Sequence, residues 1–144
     1  MSFLASIFST ARKTVAAIDG APATLNGVAA AVANVIAADG QIEDAEIDAA
    51  VNGMVSHPSL KSFTPAQIEK AVGDALRQAK SRFGRNENNT AIAALVTKPE
   101  DIRQGIFLIA ADVADQGGIG DQEHVALENI AKALGVDKAK LLAA

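Results

Sequence analysis

The sequence predicts an all-α fold, a compact bundle of about seven helices that forms a single domain over residues 1–144. Three observations support this expectation. Apolar residues recur at helical spacing along most of the chain, no segment reads as a strand, and proline and glycine divide the chain at short intervals. With 144 residues and 49% apolar content, the chain is long enough to bury one core.

The first two helices are bounded by turn residues. The first begins after Pro22, which the first helical turn tolerates, and ends at Asp39 and Gly40. The second begins near Glu43 with an acidic first turn and breaks at Pro58. The apolar residues that give these two helices their period are Leu25, Val28, Val32, Val35 and Ile36, followed by Ile47, Val51, Met54 and Val55.

Capping residues mark the helix that follows. Thr64 and Gln67 form a capping box with Pro65 at the first helical position, and Gly84 is expected to close the segment. A shorter helix is then expected after the stretch GRNENN. The apolar positions of the two helices are Ile68, Val72, Leu76 and Phe83, then Ile92, Leu95 and Val96.

The last part of the chain predicts two long helices. Thr97 and Glu100 repeat the capping-box spacing before the first of them, and the second begins near Asp121 and ends at Gly135. Asp137 can cap a final short turn. The inward positions are Ile102, Ile106, Ile109 and Val113, then Leu127, Ile130, Ala131 and Leu134.

Composition excludes several functions. A net charge of -4 argues against a nucleic-acid partner, and the absence of cysteine removes thiolate chemistry and sulfur ligands. The longest apolar run, residues 27–38, is too short to span a bilayer. Arg12 and Lys13 follow the first apolar stretch instead of preceding it, so we expect no export signal and a cytoplasmic location.

A short apolar stripe lies near the N-terminus. Phe3, Leu4, Ile7 and Phe8 recur at helical spacing. Such a stripe packs on the protein's own core or docks on a membrane surface or a partner, and the first interpretation is the more usual one.

Two related segments join a hydrophobic helix to an amphipathic one. We call residues 37–46, AADGQIEDAE, the first seam and residues 114–123, ADQGGIGDQE, the second seam. Each seam contains one or more glycines of a predicted turn, then an isoleucine, and then a glutamate four residues after that isoleucine. The repetition suggests two pseudo-symmetric helical hairpins that bring both acidic turns to one side of the bundle.

These seams, together with the later stretch ALENIAKALGVD, resemble the tellurite resistance protein TerB and the wider TerB-like domain family over nearly the whole chain. The resemblance implies an all-helical, pseudo-symmetric fold without catalytic activity that takes part in a stress response. It also implies a divalent metal ion at the acidic turns and a protein partner, an integral membrane protein of a tellurite-resistance system. A peripheral location at the inner face of the membrane would then be expected, and self-association is left open.

The family's acidic positions can be placed on this sequence. In the first seam, Asp39 and Glu46 match the acidic pair, with Glu43 and Asp44 beside them. In the second seam, Asp121 and Glu123 match acidic positions. The aspartate expected before the glycine is Gln116 here, and Asp115 would substitute for it if the turn is shifted by one residue. The predicted metal ligands are therefore Asp39, Glu43, Glu46, Asp115, Asp121 and Glu123.

The residue types indicate which ion would bind. Carboxylates and turn carbonyls are hard oxygen donors, which favour calcium or magnesium over copper or zinc. Crowded carboxylates repel one another, and a divalent cation would relieve that repulsion. The alternative is structural, because acidic residues in a first helical turn stabilise the helix dipole without any ligand. The loop pattern of an EF-hand is absent from both seams.

Other polar residues are weaker candidates for a functional site. His124 is expected to be a solvated surface residue, and His57 has no serine or cysteine at motif spacing that would suggest nucleophilic catalysis. Asp112 and Asp115 form a second candidate carboxylate pair. Arg82 and Arg85 flank a predicted glycine bend and would bind an anion or the acidic surface of a partner, or remain solvated, which is the more usual case.

Three classes of function follow. The leading hypothesis is a non-enzymatic, metal-binding module of the stress-response type, and the second is an interaction domain whose seams are only capped helix junctions. An enzyme is third, because no motif places a nucleophile, a base and an oxyanion site together.

Overall fold

The computed structural model describes residues 18–39, 42–114 and 121–142. In these ranges the chain is all-α, with seven α-helices and no strand, which confirms the predicted fold class. The helices are α1 (Pro22–Ile36), α2 (Asp44–Val55), α3 (Pro65–Ala79), α4 (Arg82–Ala93), α5 (Glu100–Ala114), α6 (Asp121–Leu134) and α7 (Lys138–Leu142). Short 3₁₀ turns occupy Ala37–Asp39, Pro58–Leu60 and Ala94–Thr97. The N-terminal stripe of Phe3, Leu4, Ile7 and Phe8 lies outside the described residues.

Helix α1 forms the centre of the bundle. It packs against α3, α4, α5 and α6, and from Thr24 to Val35 every residue except Asn26 is buried. A helix covered on all sides needs no polar face, which explains why alanine fills the positions between its larger apolar residues. The apolar positions predicted to face the core are therefore only part of the buried surface of this helix.

The two predicted hairpins differ in their packing. Helix α5 packs along α6, whereas α2 packs against α3 and α5 more than against its neighbour α1. Ile47 and Val51 on α2 are only partly buried, and Met54 is fully buried. The twofold pseudo-symmetry of the two seams stays a prediction.

The junction between α3 and α4 departs from the predicted single stripe. Helix α3 ends at Ala79, and Ser81 caps a new helix by accepting a hydrogen bond from the Gly84 N–H at 2.9 Å. Phe83 was predicted to face the core, but it lies in the first turn of α4 and is 75% exposed. The prediction was wrong because the Ser81 cap turns the chain, so the period of α3 does not continue into α4.

The start of α5 also differs from the prediction. Thr97 belongs to a 3₁₀ turn, and the extended residue Lys98 separates it from Pro99, so Thr97 does not cap α5. Extended backbone is what a residue before proline favours. In the same turn Leu95 is buried, but Val96 is 49% exposed.

Other predicted caps are confirmed. The Gln67 N–H donates to Thr64 Oγ1 at 3.1 Å, and Gln67 Oε1 accepts from the Thr64 N–H at 2.8 Å. Gly135 ends α6 with a φ of 69°, a left-handed conformation that glycine adopts without steric cost. Asp137 Oδ1 accepts from the Lys140 N–H at 3.1 Å at the start of α7.

A polar clasp joins the chain before α1 to the chain before α5. Asp19 Oδ2 lies 2.9 Å from Lys98 Nζ, and Asp19 Oδ1 accepts hydrogen bonds from the Thr24 hydroxyl and the Ala21 N–H. The Thr24 hydrogen bond, followed by the one from Lys98, lowers the pKa of Asp19 below its ordinary value. The clasp therefore favours the ionised carboxylate.

We expect Asp19→Asn to lower the free energy of unfolding at pH 7 by about 1 kcal/mol, because asparagine keeps an acceptor but loses the charge. A group whose pKa is lowered in the folded state stabilises the protein above its unfolded pKa, so the difference should persist down to about pH 5. It should shrink as the pH falls through about 4 and vanish below the folded pKa. Urea unfolding of both proteins at pH 7, 5 and 3 tests this, and an equal difference at pH 3 and pH 7 would contradict it.

Candidate functional site

The first seam is described on both sides of its glycine. The chain leaves α1 through the Ala37–Asp39 turn, and Glu43, in extended conformation, precedes the first residue of α2. Glu46 Oε1 accepts a hydrogen bond from the Glu43 N–H at 3.1 Å. This bond is half of a capping box, so one predicted metal ligand stabilises a helix N-terminus in this structure.

The second seam is described only from the start of α6. Asp121 is exposed and Glu123 is half-buried, and both lie in the first turn of α6. Acidic side chains at this position interact favourably with the helix dipole. Asp115, Gln116 and the glycines up to residue 120 lie outside the described residues.

The fold brings the described ends of the two seams close together. The Ala37–Asp39 turn packs against α6, and Ala38 and Gln122 line the same cleft. The end of the first hydrophobic helix is therefore a neighbour of the helix that follows the second seam. The side chains described in residues 18–38, 42–112 and 121–141 include no group of three or more acidic or histidine residues arranged to hold a metal ion.

The two histidines have different roles. His57 is 4% exposed, and its Nδ1 accepts a hydrogen bond from the Ser59 N–H at 3.1 Å at the start of the Pro58–Leu60 turn. His57 thus shapes a buried corner instead of facing an open site. His124 is exposed on α6, as predicted for a surface residue.

Asp112 and Asp115, the second predicted carboxylate pair, are only half described. Asp112 is partly buried near the end of α5, and Asp115 lies outside the described residues. The proximity of the two carboxylates stays a prediction.

Arg82 and Arg85 do not flank a bend. Both lie in the first turns of α4, where their side chains line a cleft of about 360 Å³ between α4 and α6 over the end of α1. We call this surface the α4–α6 cleft. Asn86 and Asn89 continue the α4 wall, and Val125 and Asn129 belong to the α6 wall.

A buried amide cluster supports the cleft from below. Asn88 Nδ2 donates to Asn34 Oδ1 at 2.9 Å and to the Ala75 carbonyl at 3.1 Å. Asn34 Nδ2 donates to the Arg85 carbonyl at 3.2 Å and to Asn89 Oδ1 at 3.1 Å. These bonds link α1, α3 and α4, so the cleft wall is held by side chains that are themselves buried.

Sequence reasoning missed the cleft and the amide cluster. The available signal was the spacing of Arg82, Arg85, Asn86 and Asn89, which puts four polar side chains on one face of a helix. Asn34 gave a second signal, because a polar residue inside an alanine and valine run needs a partner when the helix is buried.

In the part of the chain that the structure describes, no helix has the length and apolar character needed to cross a membrane. The chain matches no protein-family model, and no curated protein or solved structure matches it significantly.

Proposed function

We propose that this chain is a non-enzymatic helical module, similar to the TerB-like domain, that binds a calcium or magnesium ion at its seams and docks a protein partner. The observation that carries the proposal is the packing of the Ala37–Asp39 turn against α6. A shared cation site requires the two seams to lie on the same side of the bundle, and this packing is consistent with that requirement.

The chemistry of the seams also supports the proposal. Glu43, Glu46, Asp121 and Glu123 all lie at or within the first turn of a helix. Carboxylates and turn carbonyls are the hard donors that calcium and magnesium prefer. Binding would stabilise the folded state in proportion to the occupancy of the site.

A specific observation favours a second candidate, an interaction domain without a metal site. The hydrogen bond from the Glu43 N–H to Glu46 gives this carboxylate a structural role that needs no ion. In that case both seams are helix junctions, and the partner alone determines the function.

Isothermal titration of the chelator-treated protein with calcium and then magnesium tests the proposal. We expect saturable binding with a dissociation constant between about 10⁻⁶ and 10⁻³ M. The double variant Asp39→Asn with Glu46→Gln should bind at least about tenfold more weakly, a loss of about 1.4 kcal/mol. Glutamine retains the acceptor oxygen for the Glu43 N–H, so the cap survives while the charge is lost.

A matched control removes the same two charges elsewhere. Asp48→Asn with Glu69→Gln changes one aspartate and one glutamate that line the groove between α2 and α3. This variant should bind the cations as the parent protein does. If neither cation gives heat or raises the melting temperature of the parent protein, the seams hold no cation and the second candidate function stands.

A further inference from the structure

A polar face of α4 and a mixed polar and apolar face of α6 lie across the α4–α6 cleft from each other. On α4 the lining residues occupy positions 82, 85, 86 and 89, and on α6 they occupy positions 122, 125, 126, 129 and 130. Each set has the i, i+3, i+4, i+7 spacing of one helix face, which on α6 extends to i+8. The cleft volume of about 360 Å³ is within the range of binding sites for small ligands and short peptide segments.

The charged residues of the cleft are all basic. Arg82 and Arg85 line it, and no aspartate or glutamate is among the described lining residues, although the whole chain has a net charge of -4. Arg85 lines both this cleft and a neighbouring pocket that includes Ala79 and Lys80, and its guanidinium donates to the Ala79 carbonyl of that second pocket at 2.9 Å. Arg82 is exposed, so its guanidinium is accessible to a carboxylate, which it can bind through two N–H groups.

The remaining polar groups of the cleft are amides. Asn86, Gln122 and Asn129 form no side-chain hydrogen bond with any residue in the described ranges. A primary amide offers both donors and an acceptor, so it can bond to the N–H and C=O groups of a peptide backbone. Gln122 and Asn129 are seven residues apart, about 10.5 Å along a helix, which equals about three residues of extended chain.

An apolar residue lies between these amides. Val125 is 61% exposed on the α6 wall. An exposed valine between hydrogen-bonding groups provides apolar contact for the aliphatic part of a bound segment.

We propose that the α4–α6 cleft binds a short acidic segment of a partner protein in extended conformation. Arg82 receives a carboxylate of this segment, the positive charge of Arg85 lies beside it, and Asn86, Gln122 and Asn129 bond to the backbone of the segment. This proposal goes beyond the seams and does not require them to hold a cation, because none of the predicted metal ligands is among the cleft residues that the structure describes. The cation proposal can therefore be contradicted without contradicting the cleft proposal, and the reverse also holds.

The test uses three pools of fluorescein-labelled octapeptides with the central sequence Glu-X-Glu, Gln-X-Gln or Lys-X-Lys, all other positions being mixtures of alanine, valine and serine. We expect the Glu-X-Glu pool to bind at least about tenfold more tightly than the other two in fluorescence anisotropy at low salt. In ¹H–¹⁵N spectra of the full chain, its addition should shift the side-chain amide signals of Asn86, Gln122 and Asn129.

Two double variants locate the binding. Arg82→Gln with Val125→Asp changes two exposed cleft residues and should weaken the binding of the Glu-X-Glu pool by at least about tenfold. Arg77→Gln with Val96→Asp makes the same exchanges at exposed positions outside the cleft and should leave binding within about twofold. Equal loss in both variants would contradict the proposal.

Small anions provide the remaining control. If succinate or inorganic phosphate displaces the peptides and shifts the same amide signals with equal affinity, the cleft is a site for small anions and the proposal of an acidic segment is overturned. Equal binding of the three pools, or no shift of the cleft amides with any of them, would also overturn it.

Discussion

Gly84→Ala is expected to lower the free energy of unfolding by about 3 kcal/mol, although alanine is the better helix former. An alanine Cβ at this position would lie 1.8 Å from the Gln78 carbonyl oxygen and 2.5 Å from the carbonyl carbon. Both are backbone atoms, so no side-chain rotation relieves the overlap. The junction between α3 and α4 would have to open, and the Ser81 cap would be disturbed with it.

Gly73→Ala is the matched control for this prediction. Gly73 lies within α3, and among the described residues outside the adjacent helix backbone, its Cβ would meet one atom within 4 Å, a terminal Arg77 nitrogen at 3.6 Å. Without a clash, the helix propensity of alanine should stabilise the protein by about 0.5 to 1 kcal/mol. Guanidinium unfolding of the parent and both variants gives the two differences. A Gly84→Ala protein as stable as the parent would show that the junction does not need close backbone contact.

The α3–α4 junction shows where sequence reasoning reaches its limit. Phe83 continues the period of Ile68, Val72 and Leu76, so spacing alone predicts one helix up to Gly84. In the structure, Ser81 is extended and caps α4, and Gly84 is buried against the Gln78 carbonyl. Periodicity cannot detect this corner, because the close approach that requires glycine involves residues whose contact exists only after the chain has turned.

Caps were predictable where they depend on neighbouring residues. Thr64 with Gln67 and Asp137 with Lys140 act across three residues, and their hydrogen bonds are formed as the sequence suggests. Thr97 does not cap α5 although it has the same spacing, because it belongs to the Ala94–Thr97 3₁₀ turn and two residues, Lys98 and Pro99, separate it from the first residue of α5. A capping pattern therefore predicts a cap only when no neighbouring turn already includes the capping residue.

The candidate sites were predictable to different degrees. The acidic seams were visible because their residues are close in sequence, and the acidic first turns of α2 and α6 are where the pattern puts them. The α4–α6 cleft was not visible, because its two walls are more than thirty residues apart and only the packing of α4 against α6 joins them. Hydrophobic spacing identifies which face is buried, but it does not identify which polar faces meet.

The second large effect is expected at Asn88, which is 2% exposed within the core. Asn88→Ala should lower the free energy of unfolding by about 2 to 3 kcal/mol. The substitution removes the donors to Asn34 Oδ1 and the Ala75 carbonyl, leaving two buried acceptors without this partner, and it also leaves a cavity. Asn86→Ala changes the same residue type at an exposed position on the same helix, and it should alter stability by less than about 0.5 kcal/mol.

A double-mutant cycle of Asn88→Ala with Asn34→Ala separates the energy of the hydrogen bond between the two asparagines from the other effects of each substitution. Once either asparagine is absent, the bond of 2.9 Å between them is already lost. The double variant should therefore lose less stability than the two single variants added together, by about 1 kcal/mol. Strict additivity in urea unfolding would mean that the two amides act independently. In that case Asn34 would hold the α4 wall of the cleft only through its bonds to the Arg85 carbonyl and to Asn89.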